Sequence, residues 1–185
     1  MMSIETPLDK LLAGNERFVA GVSSSTNPLE LRASLAGGQS PFAAVLCCAD
    51  SRIAPEIVFD QALGELFVCR VAGNVPTPEI IESLEYAVWQ LSVSLVVVAG
   101  HSDCGAVTAA LESDCPQGLF SQVALSPIRG LDESIAYNAN QGANTILDRS
   151  SLILDAVESG KLCVVSGVQD IASGKFAVLD CYQKK

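Results

Sequence analysis

The sequence predicts an α/β fold: a mostly parallel central β-sheet flanked by helices, with an N-terminal helical arm packing on a partner subunit. Three observations lead there. The apolar runs Phe42–Cys48, Glu65–Val71 and Leu95–Ala99 have the length and composition of strands buried on both faces. Between them lie stretches with apolar residues at helical spacing, opened by helix-start signals. The two kinds of segment alternate, which is the order that builds βαβ units.

Taken in order, Thr6-Pro7 opens the first helix, with a hydroxyl at the cap and proline at the first helical position. Leu8, Leu11, Leu12, Phe18 and Val19 follow on one face, and Gly21 ends it. This helix precedes the first strand and so has no place in a βαβ unit, which is why it reads as an arm. Residues 22–40 hold a Ser/Thr/Asn-rich connection, a short helix over Leu29–Leu35, and Gly37-Gly38 as a stop. After the first two strands, Thr77-Pro78 repeats the helix-start signal. Ile80, Ile81, Leu84, Val88 and Leu91 mark the buried face of that helix. The third strand leads through Gly105 into a helix over Ala106–Leu111. Residues 115–145 are irregular to helical and do not divide. Ser150–Glu158 reads as a helix, and Leu162–Ser166 and Lys175–Asp180 as two strands joined by a turn at Ser173-Gly174. The layout is one domain over 1–185, an arm over 1–38 and a core over 39–185.

Composition narrows the function classes. The net charge of -10 disfavours nucleic acid and anionic membrane as partners. No segment approaches the roughly 20 apolar residues that span a bilayer. The N-terminus lacks the basic-then-apolar layout of a signal peptide, so cytoplasm is expected, with a microcompartment inside it left open. A hydrophobic fraction of 49% is high for a chain this small and predicts apolar surface buried against another copy. Seven cysteines fit poorly with a complete intrachain disulfide framework. Cys69 and Cys163 lie in apolar runs and read as small core residues. Cys115 and Cys181 have no ligand-type neighbour and receive no role.

Chemistry concentrates in two motifs, Cys48-Ala49-Asp50-Ser51-Arg52 and His101-Ser102-Asp103-Cys104-Gly105. Each falls where a predicted strand ends, the edge at which open α/β sheets bind ligands. Period-two alternation puts Cys48, Asp50 and Arg52 on one side and Cys47 on the other, making Cys48 the ligand and Cys47 a core residue. With His101 and Cys104 this gives two thiolates and one imidazole, a donor set suited to tetrahedral zinc with a fourth position open. Asp50 and Arg52 can orient whatever occupies that position. Singly, each piece is more often a core cysteine, a hydrogen-bonded histidine or a loop ion pair; the combination on strand ends argues for a site. His101 is the only histidine, so no histidine remains to shuttle protons. Proton export must use water, buffer, Tyr86 or a carboxylate.

Cys-x-Asp-x-Arg followed by His-x-x-Cys resembles the β-class carbonic anhydrases. The flanks Gly64–Val68, Arg70–Asn74, Ser83–Val88 and Gly100–Ala106 agree as well, and the resemblance is strongest over Gln39–Leu111. It implies one Zn2+ per chain on Cys48, His101 and Cys104. The implied reaction is reversible hydration of CO2 to bicarbonate and a proton by zinc-bound hydroxide, the work of a zinc lyase. It implies that Asp50 accepts a hydrogen bond from the nucleophile while Arg52 holds the carboxylate, or that Asp50 closes the site by moving onto zinc. Gln39 matches a position whose amide faces the substrate. Phe67 and Tyr86 match aromatics that narrow the cleft from the neighbouring subunit, so a homodimer or higher even homo-oligomer is implied. Allosteric members carry tryptophan three residues before the first ligand; Val45 stands there, so control by bicarbonate through that pocket is not implied. Competing readings keep the site but change the substrate to carbon disulfide or carbonyl sulfide, or make the chain a non-catalytic scaffold.

Overall fold

Five strands form one sheet in the order β2-β1-β3-β4-β5 in the computed structural model, which describes residues 5–24, 27–112, 114, 116 and 120–184. The strands are β1 (Ala43–Cys47), β2 (Leu66–Arg70), β3 (Leu95–His101), β4 (Cys163–Gln169) and β5 (Phe176–Tyr182). The first four are parallel, and β5 runs antiparallel to β4. The helices are α1 (Pro7–Val19), α2 (Pro28–Leu35), α3 (Pro55–Val58), α4 (Pro78–Gln90), α5 (Gly105–Leu111), α6 (Leu131–Arg149) and α7 (Ser151–Glu158). A 3-10 turn, Ala72–Asn74, follows β2.

The central strands are buried on both faces, as their unbroken apolar runs require. Ala43, Val45, Cys47, Leu95 and Val97 face one core cluster; Ala44, Leu46, Val96 and Val98 face the other. Each fully buried Val or Leu contributes roughly 1.5–3 kcal/mol, so β1 and β3 form the rigid base on which the site stands. Three strands run past their predicted ends, β5 to Tyr182 and β3 and β4 across a glycine each. Glycine interrupts the apolar pattern at Gly100 and Gly167, but the ladder continues because neighbours take the space a side chain would fill. A Cβ on Gly100 would touch Ile135 and Ala139 of α6, and one on Gly167 would lie 2.7 Å from the Ala177 carbonyl. Continuation carries β3 to His101 and pairs it with Gln169.

The long helix α6 lies in the stretch that sequence left undivided. Its buried face is Ser134, Ile135, Asn138, Ala139, Gly142, Ala143 and Ile146, too small and too polar to give an apolar stripe.

The two helices ahead of β1 behave differently. α1 is capped by a reciprocal pair in which Asp9 N donates to Thr6 Oγ1 at 3.1 Å and Thr6 N donates to Asp9 Oδ2 at 3.0 Å. It docks on its own chain through Leu11, Gly14 and Asn15. The Asn15 amide donates to the carbonyls of Val58 and Gly174, at 3.0 and 2.9 Å, and its Oδ1 accepts from Phe176 N at 2.8 Å. Arg17 pairs with Asp60 at 2.5 Å, and Ser24 donates to the same carboxylate. By contrast α2 has no buried residue in this chain. No helix among the described residues is long and apolar enough to cross a membrane.

Candidate metal centre

The carboxyl ends of β1 and β3 lie side by side, paired in register from Ala43–Leu95 to Cys47–Ala99. Cys48 follows the last residue of β1, His101 is the last of β3, and Cys104 caps α5. Topology therefore delivers three donors from two separate motifs to one point. Their ligand atoms all lie within 4.8 Å of one another. All three side chains are closed to solvent: Cys48 is 5% exposed, His101 0% and Cys104 1%.

The imidazole is held in one tautomer. His101 Nδ1 donates to the Ser102 carbonyl at 2.8 Å, and Ser102 is fixed in turn by donating its N–H to the Gln169 carbonyl at 2.8 Å. Ile171 N donates to Ser102 Oγ at 2.9 Å. This leaves Nε2 with its lone pair aimed into the cluster. Nε2 is buried and has no hydrogen-bond partner among the described residues. Leaving such an atom unpaired costs about 1–3 kcal/mol. Together with two sulfurs it fits a cation of zinc's preferences.

The two thiols are prepared differently, Cys48 toward its thiolate and Cys104 as the hydrogen-bond donor that favours it. The Cys104 thiol, hydrogen-bonded to Cys48, holds Cys48 down to about 4 against the upward push of burial; a bond from Gly73 N at 3.3 Å helps. Cys104 is raised by donating that bond and by burial, while the amides of Ala106 and Val107 at the start of α5 favour its thiolate. Gly73 reaches Cys48 because it adopts φ 76°, a region open to glycine.

Asp50 and Arg52 stand beside the donors. Arg52 donates from Nε to Oδ1 at 3.0 Å and from Nη2 to Oδ2 at 2.8 Å; its backbone N also donates to Oδ1 at 2.9 Å. These bonds hold the Asp50 carboxyl well below the usual carboxylate range despite the opposing effect of burial. Asp50 Oδ2 lies 3.9 Å from His101 Nε2, next to the donors but outside hydrogen-bond distance. Arg52 Nη2 also donates to the Asp103 carbonyl at 3.0 Å, which ties the two motifs together. Arg70 braces the loop from behind by donating to the carbonyls of Cys48, Asp50 and Ile53 at 3.1, 2.6 and 2.9 Å. Val45, three residues before Cys48, is wholly buried.

The donor group contains Cys48 and not Cys47, the choice strand alternation makes, but the grouping has a different reason. β1 ends at Cys47, and Asp50–Arg52 form a turn in which Ile53 N donates to the Asp50 carbonyl at 3.3 Å. Turn hydrogen bonds, not period two, group Cys48, Asp50 and Arg52, and both Cys47 and Cys48 belong to the same core cluster.

Three candidates stand apart from this group within one chain. Gln39 is exposed in the segment before β1. Phe67 and Tyr86 pair with each other, ring centroids 6.1 Å apart, and Phe67 packs on the cluster across the sheet from Cys48. Tyr86 is 43% exposed. Cys115 lies outside the described residues.

One supporting residue escaped sequence reading. Asn138 of α6 donates to the Gly73 carbonyl at 2.8 Å and accepts from Ala124 N at 2.9 Å. It fixes the glycine that serves Cys48. A polar residue on a helix with no apolar stripe carries no signal for this.

A family model described as carbonic anhydrase matches residues 43–176. Carbonic anhydrase 2 of Mycobacterium tuberculosis (strain ATCC 25618 / H37Rv) is 39% identical over 186 residues, covering 92% of this chain and 90% of that protein. A solved β-carbonic anhydrase of Aspergillus fumigatus superposes with a TM-score of 0.72 at 28% identity, covering 91% of this chain and 88% of that one. A tetrameric β-carbonic anhydrase of Sordaria macrospora gives 0.72 at 26% identity, covering 92% and 95%.

Proposed function

The chain belongs to the β-carbonic anhydrase family, and from that premise we propose that it hydrates CO2 reversibly to bicarbonate and a proton at one zinc ion held by Cys48, His101 and Cys104. One observation carries the reading: the orphaned His101 Nε2 converges with the sulfurs of Cys48 and Cys104 beside a carboxylate already fixed by arginine. Zinc, when bound, supplies the Lewis acidity that makes water a nucleophile near neutral pH.

The chain's own residues do the rest. Asp50 accepts a hydrogen bond from the attacking water and so aims its lone pair at carbon. Arg52 keeps Asp50 ionised and stationary, since both carboxylate oxygens are already bonded to it. The bond that Arg52 donates to the Asp103 carbonyl keeps this pair aligned with the His101 loop. Burial of all three donors excludes competing water from the ligand side. Protons leave without a histidine, so turnover is expected to depend on buffer concentration, and independence from it would count against the scheme.

The reading extends to assembly. Gln39 would face the substrate, and Phe67 and Tyr86 would line the cleft of a neighbouring subunit, making an even homo-oligomer the active form. The placement of Phe67 on the opposite face of the sheet from Cys48 supports this, as does the tetramer named for the Sordaria macrospora relative. The 1–38 segment would serve as the arm and 39–185 as the core of a single domain, in a cytoplasmic setting.

Stopped-flow CO2 hydration on metal-quantified protein from pH 6.5 to 9, beside Cys104→Ser, tests the proposal. Fast zinc-dependent turnover that rises with pH is expected, because two thiolates donate more charge than neutral imidazoles would. Stoichiometric zinc with no turnover at any pH would overturn it.

A further inference from the structure

Cys163 and Cys181 have no part in the metal centre, yet their sulfurs lie 3.1 Å apart. Cys163 opens β4 and Cys181 lies near the end of β5, on adjacent antiparallel strands. The register puts Cys181 opposite Val165, so Cys163 is its diagonal neighbour. Both pack on the same core cluster and so point to the same side of the sheet. A disulfide needs roughly 2.05 Å between sulfurs, a closure of about an ångström from here. Access also separates this pair from the rest. Cys47 and Cys69 are buried, whereas Cys163 and Cys181 are both partly open. Among the described residues β5 pairs only with β4, and Ala177–Asp180 are exposed along that outer strand.

We propose that Cys163 and Cys181 form an oxidation site, a cross-strand dithiol that closes to a disulfide by exchange with a small-molecule disulfide. Cys181 attacks first, because burial and the adjoining Cys181 sulfur push the Cys163 thiol up to about 12. The attack breaks the small molecule's S–S bond, releases one thiolate and leaves a mixed disulfide on Cys181. Cys163 then gives its proton to solvent and attacks the Cys181 sulfur. The mixed bond breaks and the second thiolate departs. Two protein thiols lose two electrons and two protons, and the small disulfide leaves as two thiols.

The bond would close the β4–β5 hairpin at its open end. The other end of that hairpin holds Gly174 and Phe176, the groups bonded to Asn15 of α1. Oxidation therefore fastens the outer strand and, through it, the dock of α1. It leaves the metal donors alone, because the part of β4 that touches the His101 loop is Gln169, at the opposite end of the strand. None of this depends on the proposed CO2 chemistry.

The test treats the whole metal-loaded chain with oxidised glutathione, blocks free thiols, digests it and maps the products by mass. The expected product is a peptide pair joined through Cys163 and Cys181, about 2 Da lighter than the dithiol. Metal content should be unchanged, and amide exchange in β5 at least roughly tenfold slower than in the reduced chain. Cys163→Ser is expected to trap glutathione on Cys181, and Cys181→Ser to leave Cys163 unmodified. Persistent glutathione on Cys181 of the unsubstituted chain without an internal bond would overturn the proposal. So would an internal bond that forms only in denaturant.

Discussion

His101 and Asn15 are both buried polar side chains that join distant parts of the chain, but their bonding differs. Asn15 uses both amide hydrogens and its oxygen on three backbone groups of the α3 end and the β4–β5 hairpin. His101 has one nitrogen satisfied by Ser102 and the other, equally buried, facing two sulfurs without a partner. A buried group whose bonds are all made locally holds a fold together. A buried acceptor kept open by a fixed ring is arranged for something that arrives from outside. Burial and polarity alone would rank the two residues together; the count of unmet bonds separates them.

Substitutions at the two places should therefore fail in different ways. The largest effect is expected for His101→Ala. It should lose bound metal on dialysis and more than about 10³-fold in CO2 hydration; retained metal and rate would erase the distinction. Arg52→Ala is next. It should keep its metal but lose roughly 10- to 100-fold in kcat, because Asp50 is no longer held. An unchanged rate would remove the Asp50–Arg52 pair from the mechanism. At the dock, Asn15→Ala should leave rate per bound metal untouched and cost about 2–4 kcal/mol in urea unfolding, since three backbone groups lose their partner. A fall in specific activity there would mean the two regions are coupled.

The smallest effect belongs to Asp60. Burial pushes its carboxyl up, but hydrogen bonds from Ser23, Arg17 and Ser24 prevail and hold it below the usual range. The unfolded chain, with an ordinary value near 3.9, therefore binds more protons than the folded one in acid. The stabilisation from Asp60 is full above roughly pH 5 and declines as pH falls below it. The melting temperatures of the parent and Asp60→Asn should converge on acidification from pH 5 to 3. A widening gap would reverse the sign of the argument.

The donors and the sheet were legible in sequence for related reasons. Strands buried on both faces leave unbroken apolar runs, so their ends are easy to find, and Cys48, His101 and Cys104 stand at those ends. What escaped notice does its work through backbone or through small residues. Asn138 acts on the Gly73 carbonyl, Arg70 on three carbonyls and Gly100 through the room it leaves for α6; none of these contacts has a spacing signature. The bounds of α6 stayed undivided because alanine, glycine, serine and asparagine make up most of its buried face. The proximity of Cys163 and Cys181 arises from an antiparallel register that only the folded hairpin fixes.

The bonds that Asn15 donates to Gly174 and accepts from Phe176 span 159 and 161 positions of the chain. During synthesis at about 5–20 residues per second, α1 leaves the ribosome on the order of ten seconds or more before the hairpin that receives it exists. Over that interval α1 has only the early half of its dock, Val58 and Asp60 at the end of α3, and chaperones or another nascent chain can reach the rest of its apolar face. The first helix made is thus among the last to be seated, and any pause in translation beyond β4 lengthens its exposure.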